Sequence, residues 1–242
     1  MSRTAAYAGQ DGPSIPETLA VVLSATGESI SYNLAGQKLG RKGRVTRERI
    51  LAAALELIES NAEEVFTLAG VARRAGLGMS SLYNYFSDQT ELLLAVLEPV
   101  MATAEQAYMG QVRERWSDEE LGEQTRAFVS AYHHFWARHT GLLHLRNALA
   151  DQLDVRMMMH RIESTRPLIA LLVRQMRREG EPGEAEVSLA TVLMTGIERS
   201  VTLATDRRLP RVTGLPFDQN EFRYIGCSAR LLELAIRDAR RA

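Results

Sequence analysis

Residues 67–86 read Thr67-Leu-Ala-Gly-Val-Ala-Arg-Arg-Ala-Gly-Leu-Gly-Met-Ser-Ser-Leu-Tyr-Asn-Tyr-Phe86, and this stretch decides the fold. It describes two short helices joined by a tight turn. Thr67 is suited to N-cap the first, its hydroxyl oxygen accepting from a free backbone N–H. Leu68, Val71, Ala72 and Ala75 recur at i, i+3, i+4 and i+7, which lays an apolar face along that helix. Gly76 falls where the helix must end and tolerates the positive φ of such a stop. Residues 79–86 make a second short helix with Leu82 and Phe86 on one side. Ser80, Ser81, Tyr83, Asn84 and Tyr85 remain as hydrogen-bonding groups for the rest of its surface. Two helices crossing steeply over a glycine turn, the second carrying polar side chains, fit a DNA-reading helix-turn-helix.

The flanks extend the pattern. Arg41, Lys42, Arg44, Arg47 and Arg49 stand against the single acid Glu48. A solvated charge cluster is the plainer alternative, but adjacency to the motif favours contact with DNA phosphates. Residues 46–60 read as the first regular helix, with Ile50, Ala53, Ala54, Leu57 and Ile58 on one face and Arg47, Glu56 and Glu59 outward. After Phe86, Asp88 precedes Glu91 by three positions ahead of Leu92-Leu93-Leu94, a capping-box pattern that opens the next helix.

On the helix 47–57, Phe66-Thr67, Val71-Ala72, Ala75-Gly76-Leu77, Leu82-Tyr83-Asn84-Tyr85-Phe86 and Glu91-Leu92, the segment from Gly43 to about Val96 resembles the DNA-binding domain of the tetracycline-repressor (TetR/AcrR) family of bacterial regulators. Two positions depart from the family's usual pattern: Gly78 stands where a capping serine is usual, and Gln89 where a phosphate-binding lysine is common. Gly70, inside the first motif helix, costs about 1 kcal/mol relative to alanine. The resemblance implies an all-α protein. Residues 1–40 would be an extension, 44–104 the DNA-binding domain with its motif at 67–86, and 105–242 a helical bundle that binds a small molecule and dimerises. The dimer would form through the last two helices. Ser80, Ser81, Tyr83, Asn84 and Tyr85 are the expected DNA contacts, with Thr67, Gln89 and the basic Arg41, Arg44 and Arg47 assisting at phosphates. A single short reading helix spans few base pairs. Useful specificity therefore asks for two, about 34–36 Å apart on a palindrome. The expected partners are double-stranded operator DNA, a second copy of the chain, and a small apolar or amphipathic effector. Repression is the expected outcome.

Composition permits this and excludes other classes. A chain of 242 residues holds one large domain or two modest ones. The net charge of −1 gives no global basic signature, yet a local patch suffices for phosphate contact. Cys227 is the only cysteine, which excludes an intrachain disulfide and suits a reducing cytoplasm. The first 18 residues are polar with Gly and Pro and do not resemble a secretory signal. No apolar run approaches the roughly 18–20 residues that cross a bilayer. A cytoplasmic protein without membrane contact is expected.

Residues 1–17 are rich in Gly, Pro and Ser and are expected to be disordered. Residues 19–23 and 30–32, around Thr26-Gly27-Glu28, suggest a marginal hairpin. The extension is either a mobile tail or an arm that adds to DNA or dimer contacts. A helix from Asp88 should reach about Trp116, kinked or divided at Pro99. Ser117-Asp118-Glu119-Glu120 starts another, broken at Thr140-Gly141. Residues 142–150 form a short helix and 154–179 a long one, with Pro167 opening a new helix inside it. After a loop at 180–183, residues 187–207 and 222–240 make two final long helices, and the whole is an α-bundle.

Tyr108, Phe128, Tyr132, Phe135, Trp136, Met157, Met158, Met159 and Met194 are the candidate effector-pocket residues, because methionine and aromatic side chains suit adaptable apolar binding. Core packing is the competing role for each. His133 and His134 are adjacent and point about 100° apart on a helix. His139 and His144 are split by a glycine break, and paired cysteines are absent, so no metal is expected. A nucleophile elbow, a phosphate-cradling glycine loop and a dinucleotide fingerprint are likewise missing, so no cofactor and no catalytic residue is assigned. The rival readings are an all-α enzyme working in the bundle cavity and a DNA-binding factor of the same fold without a ligand.

Overall fold

The computed structural model describes residues 34, 36–60, 65–177, 183–206, 209, 214 and 217–241, with 217–223 as backbone. The expected amino-terminal tail and hairpin lie outside them. Helices account for nearly all the regular structure, and among the described residues there is no β-strand. In chain order they are α1 (Arg41–Glu59), α2 (Leu68–Arg74), α3 (Met79–Tyr83), α4 (Gln89–Ala102), α5 (Ala104–Ala107), α6 (Leu121–Arg138), α7 (Thr140–Asp151), α8 (Val155–Met176), α9 (Glu184–Thr205) and α10 (Phe217–Ala239).

The first four helices form a head. Ile50, Leu51, Leu55, Val71, Leu82, Leu92 and Leu93 are wholly buried in it. Helix α1 begins at Arg41 rather than at residue 46, so the basic run is its first two turns. Arg and Lys are good helix formers, and buried Leu39 folds over Gly43 to anchor this start.

The expected single rod from 88 to 116 is interrupted. Pro99 does not divide it: α4 runs through this buried proline to Ala102. The break comes at Thr103, whose hydroxyl donates to the Val100 carbonyl at 2.7 Å, and at Tyr108, whose backbone leaves the helical region (φ −149°). Tyr108 is thereby swung into edge contact with Tyr132 and Phe135, ring centroids 5.0 and 5.2 Å away. Burial of a large aromatic wins over continuation of the helix. Pro167, for its part, lies inside a continuous α8.

Helices α6 to α10 form the body. Helix α10 packs on α6 and α9, and α8 packs on α7 and α9. Buried Gln175 stitches its lower end together. Its amide donates to the carbonyls of Val112 (2.9 Å) and Glu114 (2.6 Å), its oxygen accepts from the Trp116 N–H (3.0 Å), and its own carbonyl accepts from Arg240 Nε (2.9 Å). By length and composition α9 is apolar enough to cross a membrane, contrary to the expectation from apolar runs. It is amphipathic, however, burying Ala190, Leu193, Met194, Ile197 and Val201 against its neighbours.

Candidate nucleic-acid interface

Local chemistry builds the motif much as its spacing implies. Thr67 Oγ1 accepts from the Gly70 N–H at 3.1 Å and caps α2. At the other end Gly76 takes φ +65°. The N–H of Leu77 reaches the Ala72 carbonyl at 2.9 Å and that of Gly76 reaches Arg73 at 3.1 Å. These are the two bonds of a Schellman stop, with glycine in the left-handed position. Helix α3 is capped by Gly78 without a side-chain bond and ends at Tyr83, shorter than the expected 79–86. Residues 84–86 continue as a turn, with Tyr85 N–H on the Leu82 carbonyl at 2.9 Å.

Fully buried Leu82 and Phe86 fasten α3 to the head. Ser80, Tyr83 and Asn84 point away from it and are exposed, Tyr83 to 47%. Ser81 is half-buried, and Tyr85 is packed partly against the core, so it has less reach. A further contact has no signal in the sequence: the backbone N–H of Leu34 donates to the Asn84 carbonyl at 3.2 Å. Leu34 therefore lies beside the end of α3.

The basic residues divide. Lys38, Arg41 and Lys42 are exposed and Arg44 is half-buried near the start of α1. Arg47 instead lies 5.4 Å over the Phe86 ring. Its pKa is lowered from the ordinary value by burial, against the pull of Glu98 and Glu91. It remains a guanidinium cation and joins α1 to the end of the motif. Thr67 is exposed and Gln89 half-buried at the first turn of α4.

At that turn Asp88 Oδ1 accepts from the Glu91 N–H at 2.9 Å, and Glu91 Oε2 accepts from the Ser87 N–H at 2.6 Å. Asp88 Oδ1 also accepts from Arg156 Nη2 at 2.8 Å, and that partner is the main reason Asp88 sits below the usual carboxylate range. Two residues on, buried Thr90 donates to Asp154 Oδ2 at 2.5 Å, while Asp154 Oδ1 accepts from the Met157 N–H at 3.1 Å and caps α8. The Thr90 bond in turn holds the Asp154 carboxyl low. The caps of α4 and α8 are thus cross-linked, tying the head to the body. Gly141 makes a second tie: a Cβ there would come within 2.8 Å of the Ile58 carbonyl, so glycine lets α7 close onto the end of α1.

Above this joint, α7, α8 and α9 enclose a cleft of about 750 Å³. Its inner wall is Glu198, whose Oε1 accepts from Arg146 Nη2 and Asn147 Nδ2, both at 3.1 Å. Arg146 is buried with its guanidinium 5.6 Å over the Trp136 ring. None of the nine candidate pocket residues lines this cleft. Tyr108, Phe128, Tyr132, Phe135, Trp136, Met157 and Met194 are buried in the hydrophobic core, Met158 is partly buried and Met159 is 44% exposed. Burial pushes the Tyr108 phenol up to about 12 and that of Tyr132 well above its usual value, so both stay neutral. Among the described residues no three His, Cys, Asp or Glu side chains converge as metal ligands. His133 is buried and His134 exposed.

A short helix with an exposed polar ridge, seated on a three-helix support beside a basic helix start, defines a helix-turn-helix DNA-binding head. Residues 50–96 match the family described as "Bacterial regulatory proteins, tetR family". A stretch of 61 residues is 36% identical to an uncharacterized HTH-type transcriptional regulator, TtgW, of Pseudomonas putida. It covers 25% of this chain and 46% of that relative, so the chain spans about half the length of the protein it matches. The matched head, residues 50–96, is thus a tetR-type helix-turn-helix domain.

Proposed function

We propose that the protein is an effector-responsive transcriptional repressor that binds a palindromic operator as a homodimer in the cytoplasm. The observation that carries this reading is the side-chain division of α3. Leu82 and Phe86 are sunk in the head while Ser80, Tyr83 and Asn84 face outward from it. Ser80, Tyr83 and Asn84 read base edges, with Ser81 and Tyr85 beside them, and Arg41, Arg44 and Thr67 hold phosphates on either side. Gln89, the first residue of α4, adds a helix start whose backbone N–H groups suit a phosphate.

Residues 44–104 act as the reading domain and 105–242 as the effector and dimer domain. Support for dimerisation comes from α9 and α10, which pack on one another and leave Val187, Val192, Leu231 and Leu234 between 41% and 69% exposed. An unpartnered apolar face on two adjacent helices favours a second copy. Helix α8 supports the response to an effector, since it carries Arg161 and Thr165 of the cleft and, at its start, Asp154 and Arg156 of the joint. A ligand that prefers one placement of α8 shifts the spacing of the two heads by its difference in affinity for the two states.

The test is selection of duplex DNA from a random pool by the purified chain, repeated across salt. A two-fold symmetric consensus with half-sites about one helical turn apart, bound with a steep salt slope, is expected. Enrichment of no sequence, or of an asymmetric one, refutes the reading.

A further inference from the structure

We propose that the cleft between α7, α8 and α9 binds a small amphiphile through its hydrogen-bond donors (clustered O–H or N–H groups), and discriminates against carboxylates. This deepens the proposed function and rests on it only in calling that ligand the effector. It also departs from the aromatic and methionine pocket that composition suggests.

The cleft wall has an unusual balance of donors and acceptors. Four threonines face it, and each has committed its proton to its own helix. Thr165 donates to the Arg161 carbonyl at 2.8 Å, Thr191 to Val187 at 2.7 Å, Thr195 to Thr191 at 2.9 Å and Thr202 to Glu198 at 2.7 Å. A hydroxyl whose proton is so engaged offers only lone pairs and a methyl group. Glu198 adds the strongest acceptor. Both of its protein partners sit on Oε1, and among the described residues none donates to Oε2. Its side chain is 16% exposed, so the unused oxygen is reached only through the cleft that Glu198 lines.

The donors on the wall are Arg161, Arg199, Asn147 and His144, set against the carboxylates of Asp151, Glu198 and Asp206. Arg161 is held by Asp151 at 2.9 Å, and Asn147 gives its amide to Glu198. Arg199 is exposed, toward the rim. A carboxylate seated on the inner wall, away from Arg199 at the rim, would meet four lone-pair surfaces and the open Oε2 of Glu198, whereas an ammonium or a diol would satisfy them. Ile162 and Ile169 leave an apolar strip on the α8 side for a short hydrocarbon body. The volume lies in the range of small-molecule sites.

The experiment is calorimetric titration of the full-length chain with a matched eight-carbon series: octylamine, octane-1,2-diol and octanoate. The amine and the diol are expected to bind at least 10-fold more tightly than octanoate. Glu198→Gln keeps an oxygen for Arg146 and Asn147 but turns an NH₂ toward the cleft, and should weaken the two donors about 10-fold. Thr195→Val with Thr202→Val removes two acceptors at nearly constant volume and should act in the same direction, which keeps the test independent of the buried ion pair. If octanoate binds as well as the others, if none of the three binds, or if all variants bind like the parent, the proposal is overturned. A preference for amine over diol names the ligand as cationic, and the reverse names it as a polyol. DNA binding is measured on the same preparations. Its absence with donor selectivity intact refutes the regulator reading alone, and its presence without selectivity refutes the cleft proposal alone.

Discussion

Tyr83 and Leu82 are neighbours in sequence and opposites in environment, which makes them a paired test of the interface. Leu82 is 0% exposed in the head core and Tyr83 is 47% exposed. Leu82→Ala removes a fully buried side chain and should cost about 2–5 kcal/mol of stability. At roughly 2–4 °C per kcal/mol for a chain of this size, the melting transition of the head falls by about 4–20 °C. Tyr83→Ala removes an outward-pointing ring and should stay within about 0.5 kcal/mol of the parent. Its cost appears in DNA binding. One good base contact contributes about 1–3 kcal/mol; used once by each of two heads, its removal weakens affinity by roughly 30-fold to 10⁴-fold. The salt slope should not change, because a neutral ring releases no counterions. Arg41→Ala should lower that slope by about one for each phosphate the guanidinium neutralises. The assays are circular-dichroism melting and fluorescence anisotropy on the selected duplex at several salt concentrations. Unaltered DNA affinity of Tyr83→Ala, or a melting loss as large as that of Leu82→Ala, refutes the assignment of α3 as the reading helix.

Three other perturbations address the body and its joint. Thr90→Val keeps the shape but removes the bond to Asp154, and should cost about 1–2 kcal/mol by thermal denaturation at neutral pH. Both joint carboxyls, Asp88 and Asp154, are lowered in the native state. Their contribution is therefore present above about pH 4 and lost as pH falls through the native values. The gap between parent and variant should accordingly close in acid, and a pH-independent gap contradicts the role of the carboxylate. His139 is buried against Phe135 with its pKa lowered to about 4, chiefly by desolvation and secondarily by Arg138. The unfolded chain takes up this proton from about pH 6.5 downward while the native one resists it, so stability falls with pH in that window, by about 2 kcal/mol at pH 5. Denaturant titrations of His139→Gln should lack this increment, and an identical pH profile rejects it. Leu153 ends α7 with φ 67°, its N–H on the Ala150 carbonyl and that of Asp154 on Leu149, a Schellman stop with leucine where glycine is usual. Leu153→Gly should raise stability by about 1 kcal/mol, and a loss of stability in the same melt refutes the strain argument.

The motif was legible because its chemistry is local. The Thr67 cap, the Gly76 stop and the Asp88–Glu91 box join groups three to five residues apart, and spacing alone encodes such bonds. The burial of Leu82 and Phe86 followed from helical period. The start of α1 was harder to place, since charged residues fit a loop and a helix equally and only the packing of Leu39 over Gly43 decides between them. The interruption at Tyr108 had no local mark. It depends on aromatic partners in α6 more than twenty residues later.

By itself, then, the amino-acid order determined an all-helical chain with a DNA-reading head. Most of its helices declare themselves through period, caps and breakers within a few residues. What only the tertiary structure decided is how those helices dock. Docking sends Arg47 onto Phe86, makes the five candidate aromatic residues with Met157 and Met194 core, and pairs Arg146 with Glu198 across 52 positions and Thr90 with Asp154 across 64. Many arrangements of amphipathic helices bury the same stripes equally well. The choice among them is made by side-chain shape and polar satisfaction at contacts far apart in the chain, which a one-dimensional pattern of hydrophobicity leaves undetermined.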